Sequence, residues 1–269
     1  MKALSRIYMI LVFIFLYAPL AVILVFSFNA GDSTAIFSGF SLQWYQELFR
    51  DGISMIALRN TLILAFASAA IATVLGTAAA VGIFNLRGKK FKSLVMGVTN
   101  VPMMNPDIVT GVSMMLLFVF IGRFLQFESS LGFGSLLIAH VTFNLPYVIL
   151  NVLPKLRQTD PHLAEAAEDL GCTPFKAFFK VVFPSILSGV LSGFVMSFTL
   201  SLDDFVISYF TSGTTFQTLP IRIYAMTKKR VTPDMYALSS LIFVVVLVLL
   251  LAMNIAQSKA EKREKGAKV

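Results

Sequence analysis

The sequence predicts an all-α membrane protein with six transmembrane helices, on three observations. Apolar residues make up 57% of the 269-residue chain and its mean hydropathy is +0.81, outside the range of ordinary soluble domains. The chain contains six apolar runs, each long enough to cross a hydrocarbon core of about 30 Å as a helix. Basic residues gather at the ends of those runs, where orientation in the bilayer explains them. That placement accounts for the formal charge of +8, so it gives no support to a nucleic-acid partner. The single cysteine, Cys172, excludes an intrachain disulfide and reads as an incidental or structural thiol.

The first span covers residues 7–28, after a short basic leader from Met1 to Arg6. This run is longer than a signal-peptide core of about 7–15 residues and no convincing cleavage site follows, so it is read as retained. In the mixed loop 29–59, the segment SLQWYQELF predicts a short interfacial helix with aromatic anchors. The second span, 60–84, carries Ala65, Ala69, Thr73, Gly76 and Ala80 at three- and four-residue spacing, which lets another helix approach closely. Arg87, Lys89, Lys90 and Lys92 then crowd a tight loop that marks the cytoplasmic side.

The third segment, 92–121, is interrupted at NVPMMNPDIV, where Pro102 and Pro106 force a kink or break whose freed carbonyls must face protein or a wet cavity. A short loop with Arg123, Gln126 and Glu128 leads to the fourth span, 132–154. There His140 and Asn144 share a face at i and i+4. With no second histidine or thiolate nearby, His140 reads as hydrogen-bonded packing, not a metal ligand. The fifth span, 185–210, holds the pair Gly189 and Gly193, a helix-contact face, and ends in SLDDFVISYF. The sixth runs from 235 to 257. Residues 1–258 thus form one transmembrane domain, and 259–269 is a basic tail ending near Lys268, expected to be solvated and disordered.

An inside N-terminus places 15 of the 22 lysines and arginines in cytoplasmic segments, so both termini are expected in the cytoplasm. Arg222, Lys228, Lys229 and Arg230 fall on the wrong side of this rule, in the outer loop 211–234. Sequence offers no account of them short of contact with a docking protein.

The cytoplasmic loop 155–184 is the charged exception in an apolar chain. Asp160 is placed as an N-cap with Pro161 at the first helical position, and Gly171 is placed to end that helix in the left-handed conformation. Thr173 and Pro174 repeat the start signal. On the helix 161–170, Leu163, Ala167 and Leu170 fall on one face while Glu165, Glu168 and Asp169 sit mostly on another. Small apolar and acidic groups suit docking in water, whereas Phe175, Phe178, Phe179 and Val182 opposite Lys176 and Lys180 suit an element lying on lipid.

No phosphate-binding GxxxxGK[ST], nucleophile elbow, HExxH or CxxC is present, so the chain is read as non-enzymatic, with its energy supplied by a partner. The informative residues are the carboxylates at membrane depth, Asp107, Asp203 and Asp204. Each costs about 2.5–3.5 kcal/mol at the bilayer centre, which calls for a pathway, a partner helix or a cationic substrate. Asp107 is placed equally to cap the half-helix after Pro106 or to meet substrate. Adjacent helical residues point about 100° apart, so only one of Asp203 and Asp204 is expected to face a pathway squarely.

Glu165-Ala166-Ala167, three residues, Gly171, nine residues, then Val181-Val182-Phe183-Pro184 resembles the EAA loop of permease subunits in binding-protein-dependent ABC importers. Val181 and Phe183 depart from the usual Ile-x-Leu-Pro ending but stay apolar. MMNPDIV, LSLDDFVISYF and LPIRIYAMTKKRVTP are more specific, and are similar to the C-type permeases of spermidine/putrescine importers along nearly the whole chain. The resemblance implies a type I ABC importer (MetI-like) permease fold in a bacterial inner membrane, with Glu165, Ala166, Ala167, Glu168, Asp169 and Gly171 in a coupling helix that enters a groove on cytoplasmic ATPase subunits. It further implies a second homologous permease, an extracytoplasmic substrate-binding protein, and a polyamine substrate. No cofactor is expected on this chain, ATP and Mg being used by the partner ATPase. A flexible polycation suits the carboxylates of Asp203, Asp204 and Asp107, with Tyr209 or Phe205 offering cation–π contacts. The alternatives are an importer of another solute, such as ferric iron or an anion, and a self-sufficient secondary transporter.

Overall fold

A computed structural model describes residues 2–33, 36–126, 130–160, 162–228 and 233–266. Pro161, Glu128, Lys229, Arg230 and Lys268 therefore lie outside the described residues. Apart from one isolated bridge between Asn29 and Phe40, the described regular structure is helical. It includes six stretches long and apolar enough to cross a membrane: Ser5–Phe26, Gly52–Asn85, Asp107–Phe124, Phe133–Gln158, Pro174–Asp203 and Pro233–Ile255.

The chain divides into two compact units. The first comprises residues 1–58 and 222–249. It contains α1 (Lys2–Phe26), α2 (Gln43–Arg50), the start of α3 (Gly52–Asn85), and parts of α11 (Leu219–Thr227) and α12 (Pro233–Gly266). Asn29 organises its loop: the side-chain nitrogen donates to the carbonyls of Ser33 and Ile36, both at 2.9 Å, and the oxygen accepts the N–H of Ser38 at 2.7 Å. The Trp44 indole donates to the Asn29 carbonyl at 2.8 Å, and Tyr45 and Phe40 pack their rings on Phe28. The aromatic residues of the predicted interfacial helix thus hold α2 against the end of α1. Ser27 meets the Tyr45 hydroxyl at 2.8 Å and accepts from Ser240 of α12 at 3.3 Å.

The second unit comprises residues 59–221 and 250–269. Its core is built by α3 and α6 (Phe133–Gln158) with α9 (Phe183–Asp203), around Ala72, Ala80, Val148, Val152, Leu153 and Ile186. Small residues set the spacing. A methyl group on Gly76 would lie 2.6 Å from Cβ of Val148, one on Gly193 would lie 3.2 Å from its Cα, and one on Gly189 would lie 2.8 Å from the Asn151 carbonyl. The expected contact faces of the second and fifth spans therefore both close on α6, with Ala65, Ala69 and Ala80 wholly buried.

Several boundaries differ from the expectations. The broken third segment is α4 (Lys89–Met104) followed by α5 (Asp107–Phe124), and the break falls at Asn105–Pro106, not at Pro102, which stays inside α4. Proline disfavours helical ψ at the preceding residue, and Asn105 is extended at φ −75°, ψ 140°. Residues 174–182 are not a separate surface helix: α8 (Pro174–Ala177) passes through one π turn, Phe178–Val182, directly into α9. Pro184, which has no N–H to donate, follows directly on that π turn, where the Phe183 N–H bonds the Phe178 carbonyl five residues back. The fifth span ends at Asp203, and α10 (Val206–Thr211) is a separate short helix. The tail expected to be disordered continues α12 to Gly266, in keeping with the helix-forming Ala, Lys, Glu and Arg of its sequence.

The contact geometry gives a paired expectation. Gly76→Ala should destabilise the protein by about 1–3 kcal/mol, since the added methyl overlaps the Val148 side chain. Gly82→Ala, which meets nothing within 4 Å, should be neutral or slightly stabilising. Thermal unfolding of the two variants in detergent checks both signs.

Candidate functional site

Two regions hold the residues singled out by sequence. One is the turn leading into α7 (Leu163–Asp169) and the turn leaving it. Asp160 accepts the N–H of His162 on its carboxylate at 3.0 Å, the bond an N-cap makes to the second residue of a helix, although regular helix begins only at Leu163. At the far end, Gly171 adopts φ +87°; its N–H reaches the Glu168 carbonyl at 2.8 Å and the N–H of Cys172 reaches that of Ala167 at 3.0 Å. These two bonds form a Schellman motif, which satisfies carbonyls the helix end would leave free. No atom lies within 4 Å of a methyl built on Gly171, so its requirement there is conformational. Thr173 then caps α8, accepting the Lys176 N–H at 3.4 Å, with Pro174 in the first turn.

The faces of α7 are sorted differently from the expected stripe. Ala167 is buried and Ala164 half-buried, whereas Glu165, Ala166, Glu168 and Asp169 are exposed. Leu170 does not share the inward face with Ala167: the helix ends at Asp169, the turn carries Leu170 off the stripe, and it is 87% exposed. Behind the helix, Ala164, Asp160, Phe84, Leu156, Pro174 and Phe178 are among the residues lining a cavity of about 170 Å³. The loop therefore presents three carboxylates, with Leu163 and Leu170, outward on a short helix closed at its C-terminal end by the Gly171 turn. Sequence reading missed His162, whose Nδ1 lies 3.0 Å from Glu165. Their i, i+3 spacing was the available signal. The Glu165 carboxylate, with Asp160 adding to it, raises the His162 imidazole above its usual range.

The second region surrounds the interruption after α9. Asp203 closes α9 and is exposed, while Asp204 is extended, at φ −63°, ψ 120°. The two are not adjacent residues of one helix, and their divergence comes from the break instead of the helical turn angle. Asp204 turns inward, accepting the N–H groups of Ile207 at 3.3 Å and Ser208 at 2.7 Å, and so caps α10. Its carboxylate lies 3.5 Å from Nε2 of the wholly buried His140 on α6, which also meets the Ser208 hydroxyl at 3.0 Å. Tyr209 is half-exposed and pairs its ring with Phe205 at 5.5 Å between centroids. On α5, Gly111 lets that helix close on α10: a methyl group built on it would lie 3.4 Å from Ile207 Cα. Asp107 lies one turn earlier on α5 and is exposed. It is the first helical residue, the N-cap position being held by Pro106, and a carboxylate there still complements the helix dipole.

Arg222, unexplained by sequence, has partners at the start of α3. Its guanidinium lies 3.3 Å from the Asp51 carboxylate and 3.4 Å from the Ser54 hydroxyl, while Asp51 accepts the N–H of Ile53 at 3.1 Å and the Ser54 hydroxyl proton. Lys228 sits 4.6 Å from the centre of the Tyr224 ring.

Comparison with known proteins matches residues 72–266 to the family described as binding-protein-dependent transport system inner membrane component. The chain is 37% identical over 252 residues to the spermidine/putrescine transport system permease protein PotC of Haemophilus influenzae, covering 94% of this chain and 95% of the relative. It is 35% identical to the putrescine transport system permease protein PotI of Escherichia coli K12, covering 87% and 83%. A chain of a bacterial ABC transporter involved in the import of the acidic polysaccharide alginate superposes with a TM-score of 0.75 at 16% identity, covering 96% of this chain and 94% of that one, a likeness of fold.

The Asp51 corner should respond to pH with a defined sign. Partial burial pushes its carboxyl up, but the Ser54 and Ile53 bonds and the Arg222 charge outweigh this and hold it below its ordinary value. A lowered folded-state value stabilises above the unfolded value of about 3.9 and is lost as pH falls through the folded one. The difference in unfolding midpoint between the wild type and Asp51→Asn should stay constant from about pH 8 to 6 and shrink below about pH 4.

Proposed function

Since the chain belongs to the family of binding-protein-dependent transport system inner membrane components, we propose that it is the permease subunit of an ATP-driven polyamine importer. The observation that carries this reading is similarity to spermidine/putrescine and putrescine permeases over nearly the whole chain. Substrate chemistry agrees: the exposed carboxylate of Asp203 beside the α9–α10 break, with Tyr209 following it, suits ammonium groups and disfavours an anion.

The chain lies in the inner membrane as a multi-pass protein, with both termini in the cytoplasm by its charge distribution. It pairs with a second homologous permease to complete the pathway and receives polyamine from an extracytoplasmic binding protein. ATP and Mg are used by cytoplasmic ATPase subunits, and this chain binds no cofactor of its own. Residues Glu165, Ala166, Glu168 and Asp169, with Leu170, meet a groove on an ATPase subunit, while Ala167 and Gly171 hold the shape of the loop that presents them. Asp203, Tyr209 and Asp107 line the route of the polyamine, and Asp204 shapes it.

Transport couples to ATP because nucleotide closes the ATPase pair and substrate binds the inward- and outward-facing states unequally. Without a difference in affinity between states, neither ligand could shift the equilibrium. A short helix closed by a Schellman turn transmits such a motion as a unit, since bending its end would break the Gly171 and Cys172 bonds.

The decisive experiment is uptake of labelled spermidine and labelled sulfate into proteoliposomes holding both permeases and the ATPase, with the binding protein supplied. Spermidine uptake that depends on ATP is expected; sulfate uptake without spermidine uptake would overturn the reading. In the same system Asp203→Asn should raise the apparent KM for spermidine about tenfold, equivalent to about 1.4 kcal/mol. Gly171→Val, which places a branched residue in left-handed backbone at a cost of about 1–2 kcal/mol, should lower uptake while ATP hydrolysis persists.

A further inference from the structure

His140 is a buried imidazole on an apolar span, and the proposed transport cycle leaves it without a task. It stands where α6 reaches both sides of the interruption between α9 and α10. After the break, its Nε2 lies 3.0 Å from the Ser208 hydroxyl and 3.5 Å from the Asp204 carboxylate. Before the break, Asn144, one turn along α6, donates to the Ser201 hydroxyl at 2.8 Å, and Ser201 meets Ser68 of α3 at 2.9 Å. His140, Asn144, Ser201 and Ser208 are all buried. Asp203 lies between these two anchor points and is exposed.

We propose that His140 is a positioning residue for transport, fixing the α9–α10 break through Asp204 and Ser208 so that Asp203 and Tyr209 are presented to the polyamine. The proposal rests on the polyamine reading for its consequence but not for its geometry. A leucine would fill the same volume at lower desolvation cost, so the imidazole is explained by the two groups it meets. Asp204 by itself satisfies the first N–H groups of α10. What His140 adds is a polar partner from a different helix, tying the short α10 to the helix that also packs against α9 through Gly189 and Gly193. The position of Asp203 is then set by three helices instead of by the flexible joint alone.

The test compares His140→Leu with His140→Gln in the full transporter, the glutamine amide nitrogen standing where Nε2 stands. His140→Leu should raise the apparent KM for spermidine about tenfold with membrane level and basal ATP hydrolysis kept, and His140→Gln should return KM to within about threefold of wild type. A second readout needs no substrate: in a Cys172→Ala background, the maleimide labelling rate of the thiol introduced by Tyr209→Cys should change at least about fivefold with His140→Leu and little with His140→Gln. Unchanged KM and labelling in His140→Leu, or equal loss in the leucine and glutamine variants, would overturn the proposal. If His140→Leu fails to reach the membrane, Ser208→Ala decides, a change in labelling supporting the role and wild-type labelling removing it. A wild-type transporter that takes up no polyamine defeats the substrate reading, while the labelling comparison still judges His140.

Discussion

Interrupting a helix inside a bilayer frees backbone N–H and carbonyl groups where no water can take them, so each interruption has to be completed by the protein. After α9 this requirement is met by one carboxylate: Asp204 accepts two N–H groups of α10, and His140 and Ser208 close the set from α6 and from α10 itself. The direction of Asp203 follows from that arrangement. A carboxylate at the end of α9 becomes available to a ligand because its neighbour has been taken up by the backbone.

The same region depends on how closely helices can approach. Gly76, Gly189 and Gly193 bring α3 and α9 onto α6 at distances that leave no room for a methyl group. In lipid such packing replaces the hydrophobic drive of a soluble core, and it lets short side chains such as Ser68, Ser201 and Asn144 reach one another. Small residues and buried hydroxyls are thus two parts of one device, since a larger side chain at the contact would separate the polar groups.

The loop between α6 and α9 is held differently. α7 is too short to be stable by propensity; the Asp160 carboxylate orders the turn before it through His162, and the left-handed Gly171 closes its end. Its exposed acidic groups, with Leu163 and Leu170, make a small outward surface of mixed polarity. The cavity behind it, lined by α3, α6 and α8 residues, means that this surface is seated on the elements that build the membrane core.

How much of this was legible in the sequence depends on range. Spans, the proline break, the caps at Thr173 and Gly171, and the contact faces of small residues could be read, because each is set by residues within a few positions of one another; the N-cap expected at Asp160 falls instead at His162. The end of α9 at Asp203 was missed because apolar periodicity continues through Phe210, and nothing local marks Asp204 as a cap. Leu170 was misplaced for a similar reason: a periodic pattern does not show where the turn leaves it. The pairings of His140 with Asp204, and of Arg222 with Asp51, join residues far apart in the chain. By itself the sequence determined six apolar spans and a charged loop between the fourth and fifth of them, since hydropathy and capping are local. Only the tertiary structure decided which carboxylate is exposed and which is internal, because that depends on which distant donors reach each one.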